Sequence, residues 1–284
     1  RVTPAQSVEP SPSQKVAAII CAHNVGRQIA STVRACRAIP GVDLLIVIDD
    51  GSDDETGKYA RAAGAVVVRH SVPRGRASAR ETGVKVAAMR DRVDAPGRHI
   101  LFLSGDLGES AVDAAFLVEA ISSGRADLAC AVPAGRGSED PSSARKETAA
   151  QRLAHNTIRR QTGLDSQAPL SEQLCITREA LNAIMPFANG YGLELDMKVR
   201  LLALGMTAIE LPCAFEHTGD DHSLVALNRP ASLADVAWTS TMLALRKVRL
   251  RRRYRTPVSA QRVGIPFPDP EHTPVSQSHP GEVS

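Results

Sequence analysis

The chain has 284 residues, 43% of them hydrophobic and 23% charged, with a formal net charge of +3 and only 3% aromatics. This composition excludes an intrinsically disordered chain and allows one large domain with tails or two small ones; so few rings also argue against a nucleic-acid platform of stacked aromatics. The longest apolar runs are strand-sized, so no transmembrane helix is expected.

Arg1–Gln14 is rich in Pro and Ser without an apolar core, and reads as a disordered lead rather than a secretion signal. From Lys15 the pattern alternates. Strands are predicted at Lys15–Ala22, Leu44–Asp50, Ala65–Arg69, His99–Leu103 and Asp127–Val132. Helices are predicted between them at Val25–Ile39, Asp54–Ala63, Ser78–Ala88 and Ser110–Ser122. Such alternation implies βαβ crossovers and a mostly parallel sheet with helices on both faces. Pro133–Pro141 reads as a loop, and a polar helix spans Ser143–Gln161 before Gly163. Leu174–Thr177 fits a short edge strand and Arg178–Ile184 a short helix before Pro186. Glu194–Leu204 is helical up to Gly205, Thr207–Leu211 returns to strand, and a last helix runs from Ala231 towards Arg253. The expected division is a lead over 1–14, an α/β domain over 15–230, a basic helix over 231–255 and a disordered tail over 256–284.

Five cysteines, odd in number and without a C-x-x-C, argue against a zinc site or a disulfide framework. They fit a reducing cytoplasm. Arg246–Arg255 holds seven basic residues and no acid, so the remainder of the chain sums to −4 (3 minus 7). A basic helix end of this kind suits an anionic membrane surface at the inner face of a membrane, although a solvated helix terminus is an equal reading. Nucleic acid is not expected as a partner.

Candidate chemistry sits in loops that follow strands. Ala22-His23-Asn24 follows the first strand, Asp49-Asp50-Gly51-Ser52 the second, and Ser104-Gly105-Asp106 the run Ile100–Leu103, while Gly75-Arg76 opens a helix carrying Arg80. In a parallel sheet the carboxyl ends of strands share one edge, so these loops should converge on one crevice. Paired carboxylates beside a Gly turn suit a polar ligand there, whereas Asp and Ser also commonly cap helices.

Taken in order, Val47–Ser52, Arg74-Gly75-Arg76, Ser104-Gly105-Asp106, Pro169–Gln173, Gly190–Glu194 and Glu216–Asp220 resemble the family 2 glycosyltransferases of GT-A fold. The likeness runs from residue 15 to about 225, and is nearest to bacterial polyprenyl-phosphate sugar transferase-like members. It implies a Rossmann-like single domain that transfers a sugar from a nucleotide diphosphate, usually a UDP-sugar, with inversion and with Mg2+ or Mn2+. Ala22, Asn24, Asp49 and Asp50 would then bind the nucleoside, and Arg76, Arg80 and Ser104 the rest of the donor. Asp106 matches the last acid of the family's D-x-D motif and, with His217, would hold the metal. Ser104 stands where the first acid belongs, which weakens that site. Glu194 matches the catalytic acid, with Asp196 as the alternative, and Ser171 and Gln173 fall where acceptors are received. The acceptor would be a polyprenyl phosphate or a small molecule. A degenerate relative that binds nucleotide sugar without turnover is the competing reading, supported by Ser104. A nucleotidyltransferase is disfavoured because Ala22–Gly26 is too poor in glycine.

Overall fold

The computed structural model describes residues 14–133, 148–217 and 230–253. Its centre is a seven-stranded sheet of order β3-β2-β1-β4-β6-β5-β7, formed by β1 (Val16–Ala22), β2 (Val42–Asp49), β3 (Val66–Arg69), β4 (His99–Ser104), β5 (Leu128–Pro133), β6 (Leu174–Ile176) and β7 (Ala208–Cys213). The inner strands are continuous apolar runs because helices cover both faces, and alternate residues supply alternate cores. Ala18, Ile20, Leu101 and Leu103 face Val33 and Cys36 of α1 (Gln28–Arg37) and Leu117 and Ile121 of α4 (Ala115–Ser122). Their neighbours Ile19, Ile46 and Phe102 face α3 (Arg76–Met89), α6 (Arg178–Ile184) and α7 (Leu193–Ala203) through Ala79, Leu181 and Met197. A smaller third cluster joins α5 (Ala149–Thr162) and α7 to the last helix, α8 (Pro230–Arg253), through Ile158, Leu195, Val236 and Leu243. The short helix α2 (Thr56–Ala62) completes the β2–β3 crossover.

The expected mostly parallel sheet is present, with one correction. Leu174–Ile176 is not at an edge; it lies between β4 and β5 and runs antiparallel to both. Its three residues are fully buried, and it is short because only that length is framed by both neighbours. All other pairings are parallel. This one reversal matters for the site. The strands on either side bring their carboxyl ends to the upper rim, whereas β6 brings its amino end there, so Ser171, Glu172 and Gln173 arrive beside Ser104.

Two other elements differ in detail. The helix expected over Ser110–Ser122 begins as a 3-10 segment, Gly108–Ala114, before α4. The helix expected over Ser143–Gln161 is described from the Thr148 cap, whose hydroxyl accepts from Gln151 N while the Gln151 side chain accepts from Thr148 N. The lead up to residue 13, loop residues 134–141, helix residues 143–147, Thr218, Gly219, Asp220 and His222, and the tail from 254 lie outside the described residues.

Candidate active site

The loops of the upper rim are tied together by backbone bonds before any ligand is considered. Asp50 N donates to Ala22 O at 2.8 Å and Asn24 N to Ser52 Oγ at 3.0 Å, while Asn24, at a left-handed φ of 52°, accepts from Asp53 N. Ala22 is 3% exposed and lies against Gly105, where an added Cβ would come within 2.9 Å of the alanine methyl. Asp49 and Asp50 face different ways. Asp49 accepts from Ser52 N at 3.0 Å and lies against the first turn of α2. Asp50 accepts from Arg74 N at 2.9 Å and Gly75 N at 2.8 Å, and its Oδ1 is 2.6 Å from His70 Nδ1. The second carboxylate thereby shapes the turn before α3. Gly75, at φ 86°, carries that turn and releases Arg76 into the cleft.

Arg76 and Arg80, one turn apart on α3, meet two carboxylates from other elements. Arg76 pairs with Glu172 and, at 3.1 Å, with Glu194; Arg80 Nη1 donates to Glu194 Oε1 at 2.7 Å. Arg80 also donates to the Glu172 carbonyl and lies 5.0 Å over the Phe102 ring. Burial opposes the charge on Arg76, but Glu172 and Glu194 outweigh it and hold the guanidinium more firmly protonated than usual. The quartet is thus two cations and two anions, with Arg80 and Glu194 buried and Arg76 and Glu172 partly open to the cleft. Its Arg76 Nε is buried with no hydrogen-bond partner.

Beside it lies a second polar group. Asp106 Oδ2 is 3.0 Å from His217 Nδ1, and His217 Nε2 is 3.5 Å from Gln173 Nε2. The turn carrying Asp106 is fixed by fully buried Thr32, which donates to Gly105 O at 2.6 Å and accepts from Gly108 N at 2.9 Å. The segment after β7 that carries His217 is held through Glu216 N, which donates to Ser110 Oγ at 2.9 Å. Gln173 Oε1 is buried without a partner. Among the described residues no three His, Cys, Asp or Glu side chains converge as a metal site; Asp106 and His217 are the carboxylate and imidazole that could contribute to one, with the remaining ligands coming from phosphate and water. Ser104 Oγ sits 3.4 Å from Glu172 Oε2, so a carboxylate borne by another element faces the position where the D-x-D acid is replaced.

Asp50, through the Arg74–Gly75 turn, therefore joins Arg76, Arg80, Glu172, Glu194, Ser104, Gln173, His217 and Asp106 in one contiguous chain of contacts. Asp49, turned to α2, lies outside this chain of contacts, and Asp196 and Ser171 also point elsewhere. Asp196 is turned to Arg200 at 3.1 Å and Arg246 at 3.6 Å, on the α8 side of α7, because successive residues of a helix face different directions. Ser171 donates to the carbonyls of Ala131 and Gln173 and fastens the strand entrance of β6.

A family model, Glycosyl transferase family 2, matches residues 17–183. The chain belongs to this family. Its fold is also that of solved relatives: glucosyl-3-phosphoglycerate synthase from Mycobacterium tuberculosis in complex with UDP is 26% identical, with a TM-score of 0.58 and 80% of each chain covered. The same enzyme with Mn2+, UDP-glucose and glycerol 3-phosphate is 25% identical at a TM-score of 0.58, again over 80% of each chain. An uncharacterized protein of Methanocaldococcus jannaschii is 33% identical over 86 residues, which span 28% of this chain and 35% of that protein. As a family 2 glycosyltransferase, the chain places its polar cluster at the carboxyl rim of the sheet, where open α/β folds bind ligands.

Several participants carried no role in the sequence reading. Glu172 lay inside the Pro169–Gln173 block without an assignment; its acidic character was visible, but not that a reversed strand would deliver it to Arg76. His70 carried no pattern at all. Tyr191, whose ring lies 5.8 Å from the Arg76 guanidinium, enters the sequence reading only as part of the Gly190–Glu194 block. That turn is held by α8: Tyr191 N donates to Asp235 Oδ2 at 3.2 Å, and a Cβ on Gly192 would fall 2.0 Å from Thr239 Oγ1.

Proposed function

We propose that this chain transfers a sugar from a UDP-sugar to an acceptor hydroxyl or phosphate, assisted by Mg2+ or Mn2+ at Asp106 and His217. The observation that carries the reading is the continuity of the rim cluster: Asp106 with His217 beside two arginines and the buried Glu194, in a chain whose family 2 match covers Arg76, Arg80 and Asp106. The metal-bound and UDP-bound complexes of the mycobacterial relative support the donor class and the ion. A divalent ion supplies stabilisation of charge on the departing nucleotide. Asp49, Asp50, Ala22 and Asn24 shape the nucleoside side of the cleft, and Arg76 and Arg80 face the diphosphate. Glu194 takes the proton of an acceptor hydroxyl once Arg76 turns from it towards the diphosphate; the acceptor oxygen bonds to the anomeric carbon in line as the bond to the departing UDP breaks, and that single displacement inverts the configuration. Gln173 and Ser171 border the acceptor side. Asp196, paired with Arg200 and Arg246, has the lesser claim to the base.

A thermal-shift and turnover panel of UDP- and GDP-sugars tests this, with glycerol phosphates and a polyprenyl phosphate as the two acceptor arms. UDP with Mn2+ should raise the Tm, Asp106→Asn should remove the metal-dependent part, and one acceptor arm should yield product whose anomeric configuration is read by NMR. Stabilisation by UDP-sugars without hydrolysis or transfer would instead favour the binding-only reading that Ser104 supports.

A further inference from the structure

Helix α8 has an outer face unlike an ordinary solvated one. Trp238 is 69% exposed, Leu245 54% and Leu233 39%. From Ala231 to Leu245 the only charged residue is Asp235, and that one faces inward to Tyr191. Helical periodicity sets Ala234, Trp238, Thr241 and Leu245 on one side, opposite the buried Val236, Thr239 and Leu243. The helix then continues to Arg253 through a sequence in which Arg246–Arg255 holds seven basic residues and no acid.

Two features thus adjoin on one helix: an uncharged strip with an exposed indole, and a dense positive end. A second copy of the chain packed about a two-fold axis would cover the strip but crowd like charges together. Nucleic acid would satisfy the charge and leave the indole and leucines in water. An anionic bilayer surface satisfies both, since indole rings favour the headgroup level and basic side chains favour acidic headgroups. We propose that α8 seats this protein on anionic phospholipid surfaces, Trp238 and Leu245 entering the headgroup layer. This stands independently of the donor and acceptor chemistry. Because the inner face of α8 holds the Gly190–Gly192 turn beside Arg76, the cleft lies about one helix diameter, ~10 Å, from that surface.

Trp238 is the only tryptophan, so its emission reports the contact directly. With the full chain, phosphatidylglycerol vesicles should shift that emission to the blue and carry the protein upward in flotation, whereas phosphatidylcholine vesicles should not. A Trp238→Ser, Leu245→Ser pair should lower the partition at least tenfold. Replacing Arg249, Arg251, Arg252 and Arg253 by Gln should lower it about a thousandfold. Both variants should keep the wild-type melting temperature and UDP–Mg2+ response, showing an intact fold. Wild-type protein that stays with the soluble fraction beside phosphatidylglycerol vesicles would overturn the proposal. So would a dimer in vesicle-free solution that the Trp238→Ser, Leu245→Ser pair converts to monomer.

Discussion

Glu194 is 1% exposed and compensates two guanidinium groups at once, so its substitution has separable effects. Glu194→Gln leaves Arg76 and Arg80 with one carboxylate between them. The arginines then attract a diphosphate more strongly, so UDP affinity by calorimetry should rise severalfold while turnover falls by at least a hundredfold. Unchanged turnover would remove Glu194 from the chemistry. The thiols give a second expectation. Burial pushes Cys21 and Cys130 up to about 11 and Cys36 and Cys213 up to about 12. At pH 8 the thiolate fraction of Cys21 is then about one in a thousand, and alkylation of the native protein should be slow compared with the unfolded chain. The sign for stability follows from the same shifts. Unfolded thiols ionise first, so stability is full below the ordinary thiol range and should fall as pH rises from about 9 towards 11. The acids and arginines of the rim were legible in sequence because they follow strand ends. Their partners were not: the Arg76–Glu172 contact spans 96 positions and depends on the direction of a three-residue strand.

Among elements, that strand is the least predictable and the one on which the site most depends. Shortness suggested an edge, but three buried residues cannot signal orientation, since alternation needs a longer run to be read. The α7–β7 pair carries a comparable hidden contact. Lys198, 1% exposed, donates to Glu210 Oε1 at 2.7 Å and to the Ala168 carbonyl, fastening the segment that leads into β6. Burial alone would raise the Glu210 carboxyl, but Lys198, Ser166 and Gln167 hold it below its ordinary value. This contribution is complete above the usual carboxylate range and is lost as pH falls through the lowered value. Lys198→Met should cost about 3 kcal/mol in denaturant unfolding, because a mostly buried carboxylate loses its partner. The turn before α7 gives a sharper case. In Gly192→Ala the new methyl meets Thr239, so α8 must move away or the turn must shift. A loss of about 1–3 kcal/mol is expected, with a raised KM for donor as Tyr191 leaves Arg76. A shift in stability with unchanged KM would separate the turn from donor binding.

For the molecule as a whole, the family match ends at residue 183, yet Glu194, β7 and His217 come later in the chain. A fragment covering 14–183 lacks β7 and would expose the outer edge of β5 along six paired positions. Such an edge invites association, so the fragment should aggregate and show no cooperative melting, whereas 14–253 should melt as one unit. The alternating first half was readable because each βαβ unit announces itself locally. The second half was less so, since α5, α7 and α8 share a small core whose members are separated by up to about ninety residues. That core has one further implication. Among the contacts of the last helix with the Gly190–Gly192 turn are Asp235, which accepts from Tyr191 N, and Thr239, which lies against Gly192. If the outer face of that helix seats the protein on a bilayer as proposed, where the protein settles and what it transfers depend on different stretches of chain. A chimera whose final helix keeps the inward-facing Asp235, Val236, Thr239 and Leu243 but carries a foreign outer face should handle its donor as before, yet settle somewhere else.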